Sequence, residues 1–466
     1  MNGKDVAHLP GDAGFPLAGN TIAWLKDPHQ FSIDMVNAHG PVFRSRLGVD
    51  WNVTLMGASA NEFVLRDRDN VFSNRHGWGS FLDQLFPNGL MLQDFDDHRI
   101  DRRALAGAFT PAAIGRYVSS IHTLMKDEVP RWAGAQTFLP VIKEFALQTA
   151  ADSFIGISWG GRAARLNEQF VAMVQASTAI NRLPLPGTAI KAGVDARAEL
   201  VNYFREECLR RRNDDAIGDD LFSQFCHATH DDGSLLAVDK VVDHIIFLMM
   251  AAHDTFTSSS LSVVHLLAAH PEWQERLRSE MADAVGVAPF GGDHEVTYDD
   301  LAQLVETELV FMEALRTRSP LPAMPRRALK DFSFGGYDIP AGVRVGIDVH
   351  YTHHDPTYWD SPDRFDPLRF STDRRSERPE FAYIPFGGGV HKCLGARFAT
   401  MQMRLLLIHL LSNFEISLEP GYSPKWLAYP IQKPKDGLQV TLTPLSVSSA
   451  TVSRPSSWAS DLGTGL

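Results

Sequence analysis

Cysteine is scarce in this chain of 466 residues: Cys208, Cys226 and Cys393 are the three present, and their spacing forms no paired framework. That excludes a disulfide scaffold and fits a soluble protein of a reducing cytoplasm. Long apolar runs are lacking too. The longest, Ile245 to Ala252, falls far short of the ~20 residues that span a membrane, so no spanning anchor is expected. The opening Met1-Asn2-Gly3-Lys4-Asp5 has no apolar core behind a basic head and does not read as a signal peptide. Positive charge is also in deficit. A formal net charge of -12 favours solubility and argues against a general nucleic-acid binder.

What the chain does have is a hydrophobic content of 44%, enough to bury a large core. Length alone is a soft prior for two or three domains. After an irregular entry from Leu9 to Asn20, helical patterns dominate from about residue 104 to Leu315. Pro130 predicts a break between two helices over Asp127–Trp132, and three glycines predict a loop over Gly286–Asp293. Then the period changes. Phe332-Ser333-Phe334 meets a Gly335-Gly336 turn, and Val343, Val345, Ile347 and Val349 alternate as one strand face after the turn at Pro340-Ala341-Gly342. The layout is mainly α with a small segregated β region. Residues 446–466, rich in Ser, Thr and Gly, are expected to be a disordered tail, and no internal repeat is present.

The most informative stretch runs from Phe386 through Gly387-Gly388-Gly389-Val390-His391-Lys392-Cys393-Leu394-Gly395. One cysteine stands among four glycines, beside a histidine and ahead of a helical pattern. Glycines let a flat ligand approach the backbone, and the N-terminus of the following helix favours thiolate over thiol. A lone cysteine is more often a small buried hydrophobe. Here the spacing F-x-x-G-x-[RH]-x-C-x-G resembles the haem-binding signature of the cytochrome P-450 family. That resemblance implies Cys393 as axial ligand of haem b, with Phe386 shielding the sulfur and Gly395 closing the loop.

Other stretches extend the resemblance over most of the chain, and it implies one haem-thiolate domain over residues 1–445. The family's fold holds haem between an oxygen-binding helix and the helix after the cysteine loop. His98 and Arg102, four residues apart on one helical face, match the family's propionate motif, with His391 and Arg326 as further propionate partners. Arg327 could stand in for Arg326. Glu313 and Arg316, three residues apart, together with Arg369, match a bracing triad below the haem. An isolated pair of that kind is usually a solvated surface pair.

Within Met249 to Thr257, Asp254 and Thr255 resemble the family's oxygen-binding motif, in which acid and hydroxyl admit water and deliver protons. The plain alternative is a surfacing helix whose Thr255 bonds back to a carbonyl. Ala252 replaces the usual glycine, and His253 either joins the relay or faces a packed helix. Apolar candidates for the substrate wall are Phe81, Leu82, Leu85, Phe86, Ala251, Ala252, Leu321, Ala323, Met324, Tyr429 and Ile431.

The resemblance implies a monooxygenase inserting one atom of O2 into a C–H bond of a neutral hydrophobic substrate, such as a steroid, terpenoid or fatty acid. No flavin or iron–sulfur motif is present, so electrons are expected from NAD(P)H through a separate ferredoxin and its reductase. Between Arg364 and Arg404 eight Lys or Arg outnumber four acids, and Arg374, Arg375, Lys392 and Arg397 are the expected docking face. Two rival readings are a peroxide-driven haem enzyme and a haem-binding sensor without catalysis.

Overall fold

Amphipathic helices form most of the protein, and several start at a side-chain cap. The computed structural model describes residues 5–445 except 49, 158–161, 178, 180–181, 215–216 and 287–294. The expected tail and most of the loop expected over Gly286–Asp293 lie outside the described residues.

The helices that position the site are α1 (Thr21–Lys26), α2 (Pro28–His39), α3 (Ala58–Arg66), α4 (Asn74–Leu82), α5 (Phe95–Ala106) and α6 (Phe138–Thr149). They continue with α7 (Arg162–Ser177), α8 (Ala189–Arg212), α9 (Val238–Ala269), α10 (Val305–Thr317), α11 (Val349–His354) and α12 (Ala396–Asn413). Asp27 caps α2 by accepting from the His29 and Gln30 N–H groups, and Pro28 suits the first helical position. Asp96 and Asp97 occupy the first turn of α5, where carboxylates complement the helix dipole. The break expected near Pro130 is a short 3-10 turn over Val129–Trp132.

At 32 residues, α9 is about 48 Å long from its rise per residue. Its hydroxyl-rich C-terminal half is buried without loss of hydrogen bonds. Thr257 and Ser260 donate to the carbonyls of His253 and Phe256, and Ser262 reaches Ala314 O on α10.

The principal sheet has five strands: β1 (Val42–Leu47), β2 (Asp50–Leu55), β3 (Phe72–Ser73), β4 (Ala323–Ala328) and β7 (Arg344–Asp348), in the order β1-β2-β7-β4-β3. The hairpin β5 (Phe332–Phe334) and β6 (Tyr337–Ile339) pairs separately. Val343, Val345, Ile347 and Val349 are all buried, as their alternation requires. The sheet also recruits β1 and β2 from the start of the chain. Their alternation is weak, and β2 lies parallel to β7, with Val53 opposite Val345. Helices pack the larger core, and a second core with Val53, Leu55, Phe72, Val345 and Ile347 fills the sheet side.

Candidate active site

The cysteine loop is held by its backbone. Cys393 N–H donates to Phe386 O at 2.8 Å, closing the turn just before α12. Gly389 has φ +59°, and a Cβ there would lie 1.8 Å from Leu65 O of α3; one on Gly388 would meet the Phe381 ring at 2.8 Å. Side chains at these positions would displace the loop from α3. Cys393 has protein on most sides yet stays accessible along one of them, as at the floor of an internal cleft. Burial raises its thiol pKa, opposed by the Gly395 N–H and by the charges of Arg102 and Lys392. Phe386 packs beside it against the main core, 6.5 Å from the Phe311 ring.

Beside the loop the structure assembles His98, Arg102, Arg326 and His391. The His98 and His391 rings lie 3.8 Å apart. Burial lowers the pKa of both, to about 4 and about 2, and the positive charges of Arg102 and Arg326 deepen the effect at His391. Arg326 is 5% exposed and donates to Pro325 O at 2.9 Å. Among the described residues no carboxylate forms an ion pair with it; burial lowers its pKa to about 10, opposed by the charges of Asp67 and Asp94. Arg327 points to the other face of β4 and bonds Gly342 O. A buried guanidinium without a direct ion-pair partner is costly. These four cationic or donor groups around Cys393 fit a flat ligand with two carboxylates, and a haem with its propionates meets that demand.

Below the loop is a buried brace. Arg316 donates to both oxygens of Glu313 at 2.7 and 2.9 Å, in a bidentate fork. Its remaining donors reach His353 O and Pro362 O. Arg369 shares Glu313 Oε1 at 3.3 Å and also binds Asp360 O, Ser361 O and Arg364 O. The Asp366 N–H completes that carboxylate oxygen's shell. Every charge in this cluster is fully buried.

The acid and hydroxyl of α9 lie on an unbroken helix. Thr255 Oγ1 donates back to Ala251 O at 2.6 Å. Asp254 Oδ1 lies 3.9 Å from Lys143 Nζ of α6 and 3.1 Å from His253 Nδ1. Burial raises the Asp254 pKa, but His253, Lys143 and Lys433 together bring it below the ordinary value. His253 is buried edge-on to Phe170 of α7, 5.8 Å between centroids, and both ring nitrogens lack an aligned hydrogen bond. Lys143 is the addition sequence reading missed. No local motif marks it, because its role depends on how α6 packs against α9.

The wall candidates divide into two groups. Leu82, Leu85 and Phe86 are buried in the main core, with Phe86 edge-on to Phe247 at 6.2 Å. Met324 is buried in the sheet-side core, and a Cβ added to Gly387 of the cysteine loop would lie 3.8 Å from its Cε. Phe81 and Tyr429 face each other at 6.3 Å. Both are half-buried, as are Ala251, Ala252, Leu321, Ala323 and Ile431.

A cavity of about 880 Å³ borders the cysteine loop, and its lining includes Arg375, Lys392 and Arg397. Arg374 is engaged elsewhere: it pairs with Asp366 at 3.0 Å.

A mainly helical fold with a glycine-framed thiol, a cationic cradle and an acid–hydroxyl pair on a long helix defines a haem-thiolate oxygenase. The family model described as Cytochrome P450 matches residues 9–442. The chain therefore belongs to the cytochrome P450 family: it is an oxidoreductase of the monooxygenase class with haem b as cofactor. It is 32% identical to the putative cytochrome P450 136 of Mycobacterium tuberculosis, covering 95% of this chain and 90% of that one. It is 28% identical to the taxane 10-beta-hydroxylase of Taxus cuspidata, over 94% of this chain and 90% of the relative. The structure of retinoic acid-bound cyanobacterial CYP120A1 superposes with a TM-score of 0.84 at 29% identity, covering 94% of this chain and 99% of that one. Among the described residues no helix is long and apolar enough to cross a membrane.

Proposed function

We propose that this P450 hydroxylates a C–H bond of a hydrophobic small molecule of the terpenoid, steroid or fatty-acid kind, with electrons from NAD(P)H through a separate ferredoxin and reductase. The carrying observation is the adjacency of Asp254 and Thr255 on α9, with half-buried Ala251 and Ala252 on the preceding turn. The taxane hydroxylase and the retinoic acid-bound structure support a large, mostly hydrocarbon substrate. Three thiols outside any disulfide suit a cytoplasmic setting.

Cys393 would ligate the haem iron through its thiolate in this reading, and His98, Arg102, Arg326 and His391 would hold the propionates. Haem, when bound, supplies the activation of dioxygen. The chain's own residues exclude water and manage protons. Because Thr255 spends its hydroxyl proton on Ala251 O, its lone pairs are free to accept from a water and hold it in line. Asp254 takes protons on the side where half-exposed Lys143 meets solvent and passes them inward. Glu313, Arg316 and Arg369 keep the loop in place without touching the chemistry.

Electron entry is assigned to the cavity around Arg375, Lys392 and Arg397, a basic patch on an acidic protein that suits an acidic ferredoxin.

Thr255→Ala tests the reading directly. NAD(P)H consumption should continue with a saturating hydrophobic ligand while product per electron pair falls several-fold. An unaltered ratio would favour a sensor without catalysis, and full turnover on peroxide alone would favour the peroxide-driven reading. A screen of taxanes, retinoids, steroids and fatty acids for displacement of the iron-bound water identifies the substrate class.

A further inference from the structure

Arg318, the C-cap residue of α10, turns inward among four histidines. Its guanidinium carbon lies 4.5 Å from the centre of the Trp426 ring, and Trp426 meets His265 of α9 with ring centres 5.8 Å apart. A column of imidazoles stands nearby. His29 of α2 stacks on His350 at 3.4 Å, and His350 on His354 at 4.0 Å. Burial, aided by the positive charge of Arg318, holds all four imidazoles well below their ordinary pKa.

Among the described residues no carboxylate pairs with Arg318, and burial alone sets its lowered pKa of about 10. The acids of the neighbourhood have other work. Asp27 caps α2, Asp348 accepts from Ser32 Oγ and Tyr351 N–H, and Asp363 acts on His354. Five buried polar atoms in this region have no protein hydrogen-bond partner: Ser319 Oγ, Trp426 Nε1, His265 Nδ1, His350 Nδ1 and Gln432 Oε1. The first four can all donate. Gln432 belongs to the same cluster, its Nε2 lying 3.4 Å from His29 Nε2.

Buried water could bond some of these atoms, but it brings no charge to Arg318. A small anion answers both demands, because it accepts from several donors at once and offsets the guanidinium. We propose that Arg318, Trp426, His265 and His350 form a binding site for one small monovalent anion, a halide or a small carboxylate such as formate. The site abuts the active-site wall. Val349 and His350 N–H donate to Pro322 O, Gln432 N–H donates to Pro320 O, and Ser258 of α9 bonds Gln432 O. A bound anion therefore ties the segment leading into β4 to α9, α11 and the Tyr429–Gln432 loop.

The test uses the ferric holoenzyme at constant ionic strength, with sodium gluconate, too bulky for the site, replaced stepwise by sodium bromide or by sodium formate. The wild type should gain thermal stability saturably with bromide, with formate, or with both, and the responding salt identifies the source. Arg318→Met should abolish the response and match or exceed the wild type in gluconate, because an unpaired buried charge is gone. Trp426→Phe keeps the ring and removes one donor, and should weaken the apparent affinity by roughly tenfold. Bromide-soaked crystals should show an anomalous peak within hydrogen-bond distance of Arg318. Equal salt responses in wild type and Arg318→Met overturn the proposal. So does water alone at the site, or a bromide peak with no saturable response in solution, which is binding at crystal concentration only.

Discussion

Lys143 stands 3.9 Å from Asp254, beside the proton path proposed for α9. Lys143 is one of the charges that lower the Asp254 pKa, so Lys143→Met should raise it. The acid limb of the kcat profile should then move to higher pH while KM stays near the wild-type value. A limb that does not move would remove Lys143 from the pathway. Asp348 makes a separate prediction about stability. Burial raises its pKa from 3.8 to about 6, so the folded protein holds a proton that the unfolded chain has released. Its contribution is full below about pH 4 and is lost as pH rises through about 6. Neighbouring His29 and His350, with depressed pKa values, tilt stability the opposite way. The signature of Asp348 is therefore the difference between wild type and Asp348→Asn across that window, read from urea midpoints at each pH.

Pairs and loops carry the next scale. Glu313 satisfies two fully buried guanidinium groups, and Glu313→Gln leaves both short of charge. Removing one member of such a cluster costs about 3–5 kcal/mol, which chemical denaturation should report together with faster haem loss. Gly389→Ala should act through the seam between the cysteine loop and α3, because its Cβ would fall on Leu65 O. Loss of the far-red-shifted band of the reduced carbon monoxide complex, in a protein with unchanged helical content, checks it. Cys393→Ala should lose the same band outright.

These elements differ in how far the sequence reveals them. The cysteine loop, the β5–β6 hairpin and the Glu313–Arg316 fork are local, with spacing that maps onto one turn or one helical face. β1 and β2 are not local. Their pattern is mixed because the sheet is covered unevenly, and their pairing partner lies nearly the whole chain away. Lys143, the His98–His391 stack and the Arg318 cluster depend likewise on which helices meet. Arg374, which charge counting places on the docking face, also pairs with Asp366, a contact that depends on packing.

Charge distribution would govern the whole molecule's encounter with the proposed ferredoxin. A protein of net charge -12 repels an acidic ferredoxin except where a basic patch overrides the field. The first electron transfer should therefore slow steeply with added salt. Lys392→Glu and Arg397→Glu together should lower the low-salt rate about tenfold or more and flatten the salt dependence, measured by stopped-flow reduction. A rate indifferent to both changes would place electron entry elsewhere.

The parallel pairing of β2 with β7 sets a schedule for the newborn chain. Asn52 waits for Arg344, and the thiol arrives later still, at Cys393. A ribosome must thus pass Arg344 before the sheet can close, and Cys393 before the proposed haem ligand exists. Chains stalled before the cysteine loop would lack the thiol proposed to hold the haem.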